Sequence, residues 1–541
     1  MTIASESREI VGRRGRRWPW LQGLPPAVVW IPATLVAVAV AMPLVYLAVR
    51  TAGAGDELWE LLLRWRTVRV LLRSVALAAG VTAGATLLAV PLAWLTVRTD
   101  LPLRRVWAVL TLLPLVIPSY VAGFLIIVAV GPHGMLQRLL ERLFGIERLP
   151  EIYGFPGALL TLTFISYPYV LLSVRGTLSR IDPALEETSR SLGMGQWATF
   201  RRVTLPLLRP GIAGGALLVA LYALSDFGAV SILRYETFTW AIYVQYEGAL
   251  NRSLASAFSL VLIAVALVIL VAEGRIRGRG QYHRSTVGAT RPGLTAPLGR
   301  WKWPALAFVG VVVGVALALP LGVLGYWVVQ GLGAGQRLDL LWEMTFNSVY
   351  VSLAAAGVAV VVALPVAGLV VRHRGRMSSA VELATYTGFA LPGVVVALAM
   401  VYFGINFLTP LYQTMFILVF AYVMLFLPTG VNALRASLLQ VNPRVEDAAR
   451  GLGRSPLGVM ATVTVPLLRP GILAGAAMVF LLTMKELPAT LILSPIGFST
   501  LATSIWAAAS EALFAQAALL SLVLIAVTAV PLVWLLRRGE S

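Results

Sequence analysis

Cysteine is absent from all 541 residues. The chain therefore has no disulfide framework and no thiolate metal site, and its redox compartment is left open. Lysine is almost absent: only Lys302 and Lys485 occur, preceded by Trp301 and Met484. A phosphate-cradling Walker A loop needs its lysine directly after a glycine, so neither position fits. The three histidines, His133, His283 and His373, fall in loops without metal-ligand spacing, and no HExxH or GxSxG occurs. No catalysis is expected from this chain itself.

Charge is also scarce, at 12% of residues against 59% hydrophobic ones, and the mean hydropathy is +0.85. That balance belongs to a membrane protein. Crossing a hydrocarbon core of about 30 Å takes roughly 20 helical residues. Runs of that kind lie near 28–49, 74–97, 106–130, 156–174, 211–233, 254–272, 304–330, 347–371, 380–402, 411–433, 471–493 and 514–536. Backbone groups cannot go unpaired in lipid, and these runs are too long for barrel strands. The expected fold is an all-α integral membrane bundle of about twelve spans.

The net charge of +19 would suit a nucleic-acid binder in a soluble protein, but its placement argues otherwise. With the N-terminus in the cytoplasm, the twelve-span topology puts 31 of 43 Lys and Arg inside with 11 acids, and 12 outside with 13 acids. The inner face then carries 31 − 11 = +20 and the outer face 12 − 13 = −1. This is the positive-inside pattern. Clusters such as Arg13, Arg14, Arg16 and Arg17, or Arg372, Arg374 and Arg376, read as topology determinants beside an anionic leaflet, and no nucleic acid is expected as partner. Both termini are expected in the cytoplasm. The first run, at about 22 uncharged residues, is longer than a typical signal-peptide core, which favours a retained helix.

The phrase VTLPLLRPGI at 203–212 returns as VTVPLLRPGI at 463–472. Ser74, Pro91, Val97-Arg98 and Pro118 recur as Ser348, Pro365, Val371-Arg372 and Pro392, each 274 positions on. The later offset is 260, so the first copy holds 274 − 260 = 14 extra residues, placed most simply at 131–155. The chain thus reads as two six-span units of the same orientation, 1–272 and 304–541, joined by a basic linker at about 273–303.

Each unit contains one long cytoplasmic loop, at 178–210 and 434–470. From Ile181 to Ile212 the first aligns without gaps to Val441–Ile472, with 14 identities in 32. Asp182-Pro183 and Asn442-Pro443 pair an N-cap with a first-turn proline. Gly193 and Gly453 fall where a left-handed C-terminal cap would stop the helix. Each loop should be a helix, a sharp turn and a second short helix ending near Pro206 or Pro466. Loops that merely lay on the membrane surface as amphipathic helices would not explain the gapless repeat.

These loops resemble the signature segment of binding-protein-dependent ABC importer permeases. The matching residues are Glu187-Thr188-Ser189, Gly193, Val203 and Leu205-Pro206, then Asp447-Ala448-Ala449, Gly453, Val463 and Val465-Pro466. Thr188 and Ser189 stand where the family usually has alanines, and Asp447 where it has glutamate. The resemblance covers nearly the whole chain. It implies a type I importer permease fold and a multi-pass protein of the bacterial inner membrane, with a docking helix in each loop. It further implies two ATP-binding subunits, which use ATP and Mg while this chain binds no cofactor, and an extracytoplasmic substrate-binding protein. Glu186, Glu187, Glu446 and Asp447 would supply polar contacts to the ATPase, and Trp197, Phe200, Leu457 and Met460 apolar anchors.

Two acids, Asp226 in ALSDFGAVSIL and Glu486 in LTMKELPATLIL, fall within predicted spans 260 positions apart. Acids at membrane depth are costly and often functional. They either line the substrate pathway or pair locally, Glu486 with its neighbour Lys485. The fused form, the DFG and KELPATLIL segments and FSTLATSIW resemble the ferric-iron branch of the family; permeases for thiamine, polyamines or phosphonates are built similarly. An ion-coupled secondary transporter would also have twelve spans in two parallel halves, and a purely structural scaffold would carry no flux.

Overall fold

The computed structural model describes residues 27–52, 64–132, 134–146, 148–179, 181–248, 252–277, 295–334, 339–373, 375–387 and 391–539. Arg13, Arg14, Arg16, Arg17, His133, His283, Arg374 and most of the linker lie outside the described residues. Among the described residues there are helices and loops and one isolated bridge, between Thr99 and Ala296. Eight helical stretches among the described residues are long and apolar enough to cross a membrane. A ninth is a pair bent by 66°, Met460–Leu467 and Arg469–Met484. Shorter apolar helices at Val29–Met42, Leu254–Ile269 and Gly393–Phe407 account for the three remaining runs.

Four of the predicted runs are broken, each for a local reason. In 106–130, Pro118 can neither donate to the preceding turn nor leave Ile117 helical, and Ile117 is extended (φ −77°, ψ 119°). The run becomes Arg104–Leu110, a 3-10 turn and Ser119–Val130. Its counterpart splits into Arg376–Thr387 and Gly393–Phe407 at Pro392. The two helices that follow these prolines are sheathed by protein: every residue from Gly393 to Gly404 is buried. The runs at 211–233 and 471–493 break at the two acids, after Ser225 and Met484.

Each half is built on the same three-helix frame. Trp65–Arg98, Phe155–Leu178 and Leu205–Ser225 pack on one another, as do Asp339–Arg372, Met415–Leu438 and Arg469–Met484. The first helix of each half reaches over to the other. Ala27–Ala52 packs against Asp339–Arg372 and Gly393–Phe407, while Leu319–Gly333 packs against Ser119–Val130. Ala27–Ala52 buries a stripe of Ala33, Ala37, Val40 and Leu47 and leaves Leu35, Val38, Met42, Val45 and Val49 exposed. A helix apolar on both faces needs lipid on the second.

Candidate functional site

The loop helices form as their caps require. Pro183–Ser191 begins where the Asp182 carboxylate accepts the Ala184 N–H at 3.0 Å, and Pro443–Gly451 where the Asn442 side chain accepts that of Arg444, also at 3.0 Å. Both end in a left-handed glycine, Gly193 at φ +85° and Gly453 at φ +84°. The closing bonds are the same in the two copies. The Gly193 and Met194 N–H groups donate to Arg190 and Ser189 carbonyls at 2.9 and 3.2 Å, and those of Gly453 and Arg454 to Arg450 and Ala449 at the same distances. This double closure fixes the exit direction of the chain.

The second short helix does not stop before the span, as the sequence reading had it. Gln196–Thr199 runs through a π turn at Phe200–Thr204 directly into Leu205–Ser225. In the second half the turn is Met460–Thr464, and the bend comes later, at Leu468. The Leu205 N–H reaches back to the Phe200 carbonyl and that of Val465 to Met460. This five-residue step occurs just before Pro206 and Pro466, which have no N–H to offer. The prolines therefore sit inside a continuous lever in the first copy instead of ending it.

Glu186 and Glu446 are buried, which the sequence reading did not foresee. The Thr204 hydroxyl donates to Glu186 Oε1 at 2.9 Å, and that of Thr464 to Glu446 Oε1 at 3.2 Å. Each carboxylate thus ties the loop helix to the π turn at the base of the next span. Arg372 Nη2 donates to Glu446 Oε1 at 3.3 Å and to the Val441 carbonyl at 3.1 Å. Its counterpart Arg98 holds the Leu178 and Ile181 carbonyls at 3.1 and 3.2 Å, and lines a small cavity with Glu186, Arg190, Trp94 and Thr204. Sequence reasoning passed over Arg98, Arg372, Thr204 and Thr464 as functional residues. Their signal was present, because the arginines recur in the matched Val-Arg pairs and the threonines in the repeated ten-residue phrase.

What the loops leave exposed is the other half of the site. Glu187 and Asp447 face outward, Asp447 taking a bond from Arg450 at 2.7 Å. Leu185, Leu192 and Trp197 are exposed in the first copy, and Val445 and Leu452 in the second. Trp197 is propped in place, stacked on Phe200 at 5.6 Å, which meets Trp94 edge-on at 5.7 Å. Met460 is half-buried, and the side chain of Leu457 lies outside the described residues. Among the described residues, the linker end is clipped beside the first loop. The Ala296 N–H donates to the Arg98 carbonyl at 2.7 Å, and that of Leu298 to Asp100 at 2.8 Å, which holds the Asp100 carboxyl below its usual range.

Asp226 and Glu486 sit at helix breaks, about 31 Å along the span from Leu205 in the case of Asp226. Asp226 Oδ1 accepts the Ala229 and Val230 N–H groups at 3.0 and 3.3 Å, and Glu486 Oε1 that of Ala489 at 3.2 Å. Each therefore caps a short helix, Gly228–Ile232 or Pro488–Leu493. A side chain at Gly393 would strike the Glu486 carboxylate, so the buried helix there approaches as backbone alone. Lys485 turns away from Glu486: its Nζ donates at 2.7 Å to the Leu115 carbonyl in the other half. Pro118, lacking an N–H, leaves that carbonyl open.

Two parallel halves, each with a capped cytoplasm-type loop braced to the following span, define a transporter subunit built by duplication. The profile of binding-protein-dependent transport system inner membrane components matches the chain twice, at residues 85–276 and 359–538, and the chain belongs to that family. It is a multi-pass inner-membrane permease of the ABC type, and its relatives are permease subunits, not enzymes. It is similar to the Fe(3+)-transport system permease protein FbpB 2 of Haemophilus influenzae, with 35% identity over 95% of this chain and 98% of the relative. The ferric transport system permease protein FbpB of Actinobacillus pleuropneumoniae is 26% identical over 81% of this chain and 66% of its own length. The molybdenum transport system permease protein ModB of Mycobacterium bovis is 33% identical, but over 46% of this chain and 94% of its own length. Membership sets aside the ion-coupled carrier and the structural scaffold.

Proposed function

We infer that this chain forms the translocation pathway for ferric iron, delivered by an extracytoplasmic binding protein and driven by two copies of a separate ATP-binding subunit, one on each loop. The observation that carries the reading is the pair of exposed apolar loop faces, each mounted on a frame where a buried glutamate ties the loop helix to the base of the next span. An exposed apolar patch rimmed by charge marks a docking site, and the braces make each patch move with the span behind it. ATP and Mg belong to the partner subunits, and this chain binds no cofactor of its own. Both termini and the linker then lie in the cytoplasm, and the two functional units are 1–272 and 304–541. Iron is favoured over molybdate because the similarity to the ferric permease runs through both halves, whereas the molybdenum permease matches less than half of the chain. Purified complex should contain two ATPase subunits per permease and take up ferric iron, not molybdate, on ATP addition. A different ratio, or molybdate uptake, would overturn this assignment.

The reading also gives Asp226 and Glu486 a second task beside capping: lowering the electrostatic barrier to a multivalent cation where water is scarce. The cap separates the two roles. Asp226→Asn keeps an acceptor oxygen and loses the charge, whereas Asp226→Ala loses both, at about 1 kcal/mol for the cap. Slower uptake in the Asn variant at unchanged melting temperature supports the pathway role. Wild-type uptake in Asp226→Asn, with only the Ala variant impaired, reduces the acid to a cap.

A further inference from the structure

Past each acid, the chain runs through the short helix into a second one, Phe238–Glu247 in the first half and Leu501–Ser510 in the second. These two are counterparts. Their N-caps are Thr237 and Thr500, and 500 − 237 = 263. The first N–H of each is held by the same serine of the repeat: Phe238 donates to Ser74 Oγ at 3.0 Å and Leu501 to Ser348 Oγ at 2.7 Å. At that offset Tyr243 corresponds to Trp506, since 243 + 263 = 506.

Tyr243 and Trp506 touch, edge to face, with ring centroids 6.1 Å apart. Two parallel halves are related by an axis along the membrane normal, and equivalent residues that meet each other must straddle that axis. The pair is therefore central. Phe227, the residue after Asp226, is buried beneath it, 5.0 Å from Tyr243 and 6.1 Å from Trp506, and Trp240 stacks on Tyr243 at 5.8 Å. Tyr243, Trp240 and Trp506 are only half-buried, so the cluster has an open side. The Trp506 indole is fixed across the halves by donating to Ser231 Oγ at 3.2 Å.

We propose that Tyr243 and Trp506, seated on Phe227, are the barrier that closes the pathway at the end opposite the ATPase loops. This rests on the permease reading above. Four contacting rings fill the axis with surface that offers a hydrated ion no charge, and a dewetted constriction of that kind blocks ions. Aromatic pairs of this geometry hold only weakly beyond burial, so the ATP-driven movement of the halves can separate them. Asp226 immediately precedes Phe227 in the chain, so an ion that passes the rings comes next to the segment that carries that acid.

The chain's lack of cysteine makes the test clean. In the full complex with its ATPase and binding protein, Tyr243→Cys and Trp506→Cys are combined and joined by a short, reducible bifunctional thiol reagent. Efficient linkage without nucleotide, loss of the ferric-iron uptake that the unlinked double variant retains and its return to that unlinked level on reduction are the expected results. No linkage, or undiminished uptake once linked, would overturn the barrier. Trp506→Phe, which keeps a ring but loses the indole's bond to Ser231, should move more iron per ATP than Trp506→Ala, which loses both; equal coupling in the two variants would also overturn it. Wild-type complex assayed alongside separates the two inferences, because failure there counts against the transport reading and not against the rings.

Discussion

Valine in place of Gly193 or Gly453 should abolish substrate-stimulated ATP hydrolysis while the protein still inserts and purifies. Both glycines have a left-handed φ, and a Cβ built there meets no atom within 4 Å, so the whole effect is conformational. Left-handed backbone costs an L-residue about 1–2 kcal/mol, and β-branched residues are the least tolerant. That penalty is comparable to what the two closing bonds contribute, about 0.5–1.5 kcal/mol each, so the valine loop no longer holds one exit direction and its apolar tip would miss the partner. Asparagine, which tolerates this conformation, should retain much of the activity. Equal stimulation in wild type and both valine variants would refute a rigid loop.

Glu446→Ala should be the more damaging of the two brace substitutions. The Glu446 side chain is 7% exposed and its partner Arg372 18%, so removing the acid leaves a largely buried guanidinium without its counter-charge. Breaking one side of such a pair costs about 3–5 kcal/mol. Glu186→Ala strands chiefly the Thr204 hydroxyl, at about 1–3 kcal/mol. Melting temperature and ATPase retention measured on the same preparations should rank wild type above Glu186→Ala and that above Glu446→Ala. Unchanged stability in Glu446→Ala would mean that the carboxylate serves the partner and not the frame.

The bundle and its duplication were legible because lipid enforces long apolar runs and because the repeat carries its own alignment. The loop caps were legible for the same kind of reason: Asp182-Pro183, Asn442-Pro443 and the two glycines are local signals that no tertiary contact overrides. What stayed hidden depends on contacts distant in sequence. Glu186 and Glu446 look like surface acids until Thr204, Thr464 and Arg372 are brought to them. Hydropathy also cannot tell a lipid-facing span from a protein-sheathed helix, so the runs containing Pro118 and Pro392 read as simple crossings. The acids at 226 and 486 sit in apolar surroundings, and only the backbone shows that the helix ends there.

The exchange of first helices between the halves sets an order of assembly during synthesis. Ala27–Ala52 finds its packing surface on Asp339–Arg372, whose last residue is made 372 − 52 = 320 positions later. At roughly 5–20 residues per second the first helix waits about 16–64 s in the bilayer before its small-residue stripe is covered. During that interval Ala33, Ala37 and Val40 face lipid or the insertion machinery, which an apolar stripe tolerates and a polar one would not. Site-directed cross-linking of stalled nascent chains would follow the change of neighbours, and a stable early contact of the Ala33, Ala37 and Val40 stripe with a first-half helix would contradict the wait. The two units are therefore duplicates in sequence but are not separate folding domains, and a break in the linker would still leave the first helix dependent on a surface carried by the second unit.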